Sequence, residues 1–137
     1  MKINFSYFVL FWMLISLVGC GSKEEKVSES IQYLNQFTSQ MMGKVGSKSD
    51  LIEGIKAGQA FLNSKKEVFK KKVALTKNTN RAQVSEKTMK AWQKAVVVNL
   101  KMVEDLKIKH VGQALRNPKL SQALNKLVKD YRDILQK

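Results

Sequence analysis

From Val27 to the end of the chain, apolar side chains recur every three or four residues, and a single proline, Pro118, interrupts them. That interval puts side chains on one stripe of an α-helix, whereas strands need an alternation that is weak here. Glycine is sparse as well, so the breaks between helices can be placed one by one. The expected fold is all-α, an antiparallel helical bundle of three to four helices over residues 27–137.

Four stripes are visible. In the first helix, expected over about Ser28 to Met42, the line is Val27, Ile31, Leu34, Thr38, Met41, Met42 and Val45. Tyr33 and Phe37 project off it, and they fit either a membrane contact or the core. Gly43, Gly46, Ser47 and Ser49 mark a loop. Asp50 followed by Glu53 reads as a helix N-cap with its reciprocal acidic partner. The second helix runs from there to about Thr76, with Leu51, Ile55, Leu62, Phe69 and Val73 inside. Gly58 lets a neighbour come close, and Phe61, Val68 and Leu75 widen one flank.

A third helix is expected from about Arg81 to Lys109, burying Thr88, Trp92, Ala95, Val96, Asn99, Met102, Val103 and Leu106. Asn117-Pro118 is a start signal, asparagine as cap and proline at the first helical position. The fourth helix carries Leu120, Leu124, Leu127, Tyr131 and Ile134. The second and third helices, on the order of 40 Å long at 1.5 Å per residue, are expected to pair as a hairpin spine completed by the first and last. A three-helix bundle with a loose first helix is the alternative.

Ahead of the bundle, Lys2 is followed by a nearly unbroken apolar run from Phe5 to Val18, ending on the small residue Gly19. The run falls short of the roughly 20 residues that span a bilayer core, so a cleaved export signal is the better reading than a transmembrane anchor. The chain's only cysteine, Cys20, comes next. An internal disulfide is therefore excluded, and a free thiol in an oxidising compartment would be a liability.

Leu17-Val18-Gly19-Cys20 resembles the lipobox of bacterial lipoprotein precursors. The resemblance implies cleavage between Gly19 and Cys20, a diacylglyceryl group on the Cys20 sulfur and usually a further acyl chain on the new amino group. Two or three chains make a stable anchor where one holds only marginally. The expected organisation is then a signal peptide at 1–19, a lipidated tether at 20–26 and the bundle at 27–137. Gly21 and Ser22 stand where an aspartate would resemble an inner-membrane retention signal. By that analogy the protein sits in the cell envelope, on the outer membrane facing the periplasm of a Gram-negative cell. In a Gram-positive cell it would lie on the outer face of the plasma membrane. Size and anchoring are similar to small helical outer-membrane lipoproteins such as secretin pilotins, or to immunity and plasmid-exclusion lipoproteins, all of which bind protein partners.

Removal of residues 1–19 leaves 118 residues with 24 basic and 11 acidic side chains, and only Arg81, Arg116 and Arg132 are arginine. Lysine suits diffuse attraction rather than bidentate recognition. A basic chain at a membrane meets anionic lipid, lipopolysaccharide or another acidic envelope polymer, and nucleic acid is not an expected partner of an exported protein. Lys56, Lys66, Lys70 and Lys77 share one broad side of the second helix with Lys71 just beyond, a candidate surface for such a polymer. An ordinary solvated face is the plainer reading.

No catalytic residues, cofactor or metal ligands are expected. His110 is the only histidine and suits a helix C-terminus. Glu104 and Asp105, being adjacent, diverge by about 100° on a helix. Neither a phosphate-binding glycine loop nor a nucleophile elbow is present. Two readings are open for Val97, Leu100 and Ile108, which lie away from the Trp92 side of the third helix: a docking strip for a protein partner, or core if that helix is central. The fitting function is a membrane-anchored, non-enzymatic lipoprotein that binds or chaperones a protein partner, with binding of an anionic envelope polymer as the alternative.

Overall fold

The computed structural model describes residues 22–79 and 81–136, and these form five helices with no strand among them. They are α1 (Lys23–Gly46), α2 (Leu51–Lys77), α3 (Glu86–Lys109), α4 (Val111–Arg116) and α5 (Pro118–Gln136), with a 3-10 turn at Arg81–Gln83 before α3. The fold is all-α. The leader, Gly19 and Cys20 lie outside the described residues.

Each long helix starts on a side-chain cap, and the caps move two of the expected boundaries. Ser22 accepts from the Glu25 N–H at 3.2 Å while the Glu25 carboxylate takes the Ser22 N–H at 3.0 Å. This reciprocal box starts α1 at Lys23, so residues 23–26, read as tether from the sequence, are helical. Asp50 accepts from the Glu53 N–H at 2.9 Å, as expected, but the Glu53 carboxylate turns to Lys56. Ser85, not a residue near Arg81, caps α3 by accepting from Thr88 at 3.3 Å. Asn117 caps α5 through the Leu120 N–H at 3.2 Å, with Pro118 as its first residue.

Successive long helices run in opposite directions, yet the expected spine is absent. α1 packs along both α2 and α3, and α5 packs along the same two, which leaves α2 and α3 on a diagonal. Glu24 with Thr88 and Asn35 with Asn99 pair α1 with α3 at a constant offset, so these neighbours run parallel. The reason is the breadth of the buried side of α1. Val27, Leu34, Phe37, Thr38, Met41 and Val45 are all sealed and cover two partners. Along α1 and α2 the backbones close to near contact: a Cβ on Gly58 would stand 2.5 Å from Val45 Cγ2, and one on Gly54 would collide with the Val45 carbonyl oxygen.

An aromatic column fills the middle. Phe37 stacks on Phe69 with centroids 4.1 Å apart, and Tyr131 lies 5.7 Å beyond Phe69. Phe37 thus belongs to the core, with the half-buried Tyr33 beside it at 6.0 Å. On the flank of α2 expected to add to the core, Phe61 does pack against it, but Val68 and Leu75 are exposed. On α3 Met102 is likewise exposed.

The two ends of the bundle differ. α1 and α3 begin at one end, where α2 and α5 finish. The 47–50 loop and α4 lie at the other. Ser22, the first described residue, lies at the first of these ends, and the other is the end remote from it.

Candidate functional site

The remote end carries apolar side chains that the fold does not cover. α3 turns Trp92, Ala95, Asn99, Val103 and Leu106 inward, which places Val97 and Ile108 on its outer face, 64% and 70% exposed. Leu100 is only partly buried and packs against the core edge, so the trio expected to act together is divided. Central burial of α3 on several sides does not occur, because only α1 and α5 lie along it.

The strip is extended by a helix the sequence did not suggest. The His110 N–H bonds to the Leu106 carbonyl at 3.1 Å, its side chain caps nothing, and α4 starts at the next residue. α4 buries no residue fully and exposes Val111 and Leu115, the latter at 82%. Both side chains border a small pocket of about 130 Å³ floored by Leu124 of α5. On this face Lys101 and Glu104 stand between Val97, midway along α3, and Ile108, so the apolar patch at the remote end is Ile108, Val111 and Leu115, with charge at its border. Arg132 binds Glu104 through Nε at 3.1 Å and through a second nitrogen, and Lys101 pairs with Asp105 at 3.0 Å. An exposed apolar area rimmed by charge is the usual form of a contact surface.

Asn99 is buried, and its amide donates to the Asn35 side chain at 2.6 Å and to the Ala95 carbonyl at 2.8 Å. A satisfied polar pair of this kind fixes the register of α1 against α3, since a slip would strand it in an apolar seam.

Lys56, Lys66, Lys70 and Lys77, expected on one broad side of the second helix with Lys71 just beyond, are strung along α2 rather than clustered. Lys56 and Lys77 are separated by 21 residues of α2, about 32 Å. Lys56 is bound to Glu53 at 2.8 Å and Lys70 to Glu67 at 3.4 Å. Hydrogen bonding to Glu53 raises the Lys56 ammonium above its ordinary range, whereas desolvation lowers that of Lys77 at the end of α2. Lys66 adds its charge to the surroundings of Asp130. Burial pushes that carboxyl up, but the Lys126 hydrogen bond and charge, the Gln59 hydrogen bond and Lys66 together leave it below the usual carboxylate value. Lys71 alone of the five joins other lysines across a groove, and those partners, Lys23 and Lys26, were not read from the sequence. Their shared S-x-x-E start signal at Ser22 could have placed them on a helix beside α2.

No described helix is long and apolar enough to cross a membrane. No protein-family model, curated protein or solved structure matches the chain.

Proposed function

We propose that this protein is a lipid-anchored envelope lipoprotein without enzymatic activity that holds a protein partner against its α3–α4 surface. The observation that carries the reading is the exposure of Ile108, Val111 and Leu115 at the end of the bundle remote from Ser22, with Val97 exposed midway along α3. A chain tethered at Cys20 would present that surface away from the bilayer, toward soluble partners or the projecting parts of membrane proteins. The lipobox resemblance supports the anchor, and the charged rim of Glu104, Arg132, Lys101 and Asp105 supplies groups that set the orientation of what docks there.

The test is photo-crosslinking in intact cells. A crosslinker at position 108 or 115 should give one discrete adduct, and the same group at Lys129, exposed on α5, should give none. Adducts of equal yield from all three positions would remove the α3–α4 surface from consideration. Lipid labelling that persists in Cys20→Ser would remove the anchor.

A further inference from the structure

At the end of the bundle that carries Ser22, the first turn of α1 and the last two turns of α2 enclose a groove of about 550 Å³. Lys23 and Lys26 stand on one wall and Lys71 on the other, with Ala74, Leu75, Asn78 and Thr79 completing the lining and no acidic side chain among them. Of the carboxylates close in sequence, Glu24 accepts from Ser85 and Thr88 at the start of α3, Glu25 closes the Ser22 cap, Glu67, one turn before Lys71, pairs with Lys70, and Glu29, one turn after Lys26, is exposed. Lys23 also reaches Gln83, and among the described residues Lys26 and Lys71 have no carboxylate partner within salt-bridge distance. Beside these ammonium groups Leu75 is 53% exposed, and Val68, two turns back along the same side of α2, is 50% exposed.

Three lysines without an ion pair among the described residues, beside an exposed leucine, have one setting in which both parts are satisfied. A bilayer surface offers phosphate oxygens at the headgroup level and hydrocarbon a few ångströms below, which suits a cation beside an apolar side chain. Position strengthens the match. Cys20 precedes Ser22 by two residues, about 7 Å of extended chain at most, so a lipid on Cys20 would hold this end within reach of headgroups. Ammonium groups match a membrane phosphate as point charges, without the bidentate geometry that arginine would impose.

We infer that this groove binds the phosphate of an anionic membrane phospholipid while Leu75 enters the headgroup layer, so that the bundle stands on the bilayer with its α4 end outward. The inference rests on the anchor of the proposed reading for its proximity to lipid, but concerns a different surface from the partner strip.

Mature protein purified from membranes, carrying Leu75→Cys with an environment-sensitive fluorophore, is reconstituted in vesicles of phosphatidylcholine alone or with a third of phosphatidylglycerol. A parallel sample carries the label at Leu115→Cys. The expected result is a blue shift at position 75 in the anionic vesicles, absent in the neutral ones and absent at position 115. Moderate salt should weaken the shift, because the Debye length falls to about 8 Å at 0.15 M. Lys26→Glu with Lys71→Glu should abolish it, and the gentler Lys26→Gln with Lys71→Gln should reduce it, with helicity unchanged in both pairs. Equal shifts in the two vesicle types, no shift at position 75, or a shift indifferent to both lysine pairs would overturn the inference while the anchor stands. Mass spectrometry of the same preparation decides the anchor separately. An unmodified Cys20 would sink the anchor and, with it, the orientation inferred here.

Discussion

The Tyr131 hydroxyl donates to Thr38 Oγ1 at 2.5 Å, linking α5 to α1 across the centre of the bundle, with both residues sealed from solvent. The direction follows from the second bond of Thr38, whose own hydroxyl proton goes to the Leu34 carbonyl at 2.9 Å. Removal of either hydroxyl therefore has unequal consequences. Tyr131→Phe deletes the donor and leaves Thr38 still bonded to Leu34, a loss of about 1 kcal/mol. Thr38→Val leaves the tyrosine hydroxyl buried without an acceptor, at about 2 kcal/mol. The double variant should lose clearly less than the sum, because two apolar groups then face each other. Urea denaturation of the four proteins measures the coupling, and strict additivity would mean that the bond contributes nothing.

Gly54 and Gly58 both face Val45, but their replacements should behave differently. An alanine at 54 meets backbone oxygen, which cannot move without separating α1 from α2, whereas an alanine at 58 meets only the Val45 side chain. Overpacking costs about 1–3 kcal/mol, and the gain in helix propensity returns about 1 of it. Val45→Ala should therefore rescue Gly58→Ala in a thermal melt and fail to rescue Gly54→Ala. Equal rescue of both would show that α1 can shift along α2.

Much of the fold was legible because its signals are local. Asn117 and Pro118 start α5 where a cap and a preset φ allow, and the α5 stripe from Leu120 to Ile134 is buried throughout. Asp50 likewise acts on adjacent backbone, the Glu53 N–H. Periodicity tells which side of a helix is apolar but not which helix covers it, and this is why α2 and α3 form a diagonal rather than a pair. Gly54 illustrates the same limit, since its role appears only where Val45 crosses. The angle of Val97 and Ile108 on α3 sets them apart from the Trp92 side, but whether they are covered depends on the placement of α1 and α5. The basic groove was harder still. Lys26 and Lys71 are 45 residues apart, and only the antiparallel pairing of α1 with α2 joins them.

Glu24 makes the stability depend on acid. Its carboxylate accepts from the Thr88 hydroxyl and the Ser85 N–H, bonds that exist only when α1 and α3 are docked, and these hold its pKa below the ordinary 4.5. Because the folded value is the lower one, its contribution is complete above 4.5 and disappears as pH falls through the folded value. As pH falls below about 5, the Tm of the native chain should therefore drop more steeply than that of Glu24→Gln. Parallel curves for the two proteins would show that the carboxylate gains nothing from the start of α3.

Ile108 and Leu115 should separate binding from stability. Both are largely exposed at the α4 end, so replacing them removes little buried area. Glutamine is a good helix former, and Ile108→Gln with Leu115→Gln should shift the unfolding free energy by no more than about 0.5 kcal/mol. Two residues before Ile108 and on the opposite side of α3, Leu106 is buried, and Leu106→Ala should cost about 2–5 kcal/mol. The glutamine pair should abolish the partner adduct while the melt stays in place. The alanine variant should lower the melt, but below its own midpoint it keeps the adduct, since the docking surface is intact whenever the bundle is folded. If the glutamine pair lowered stability by more than about 1 kcal/mol, the two side chains would have to be covered in the native state, in conflict with their exposure in the single chain. A midpoint rising with protein concentration would then identify the cover as a second copy of the chain, because association stabilises the folded form by mass action.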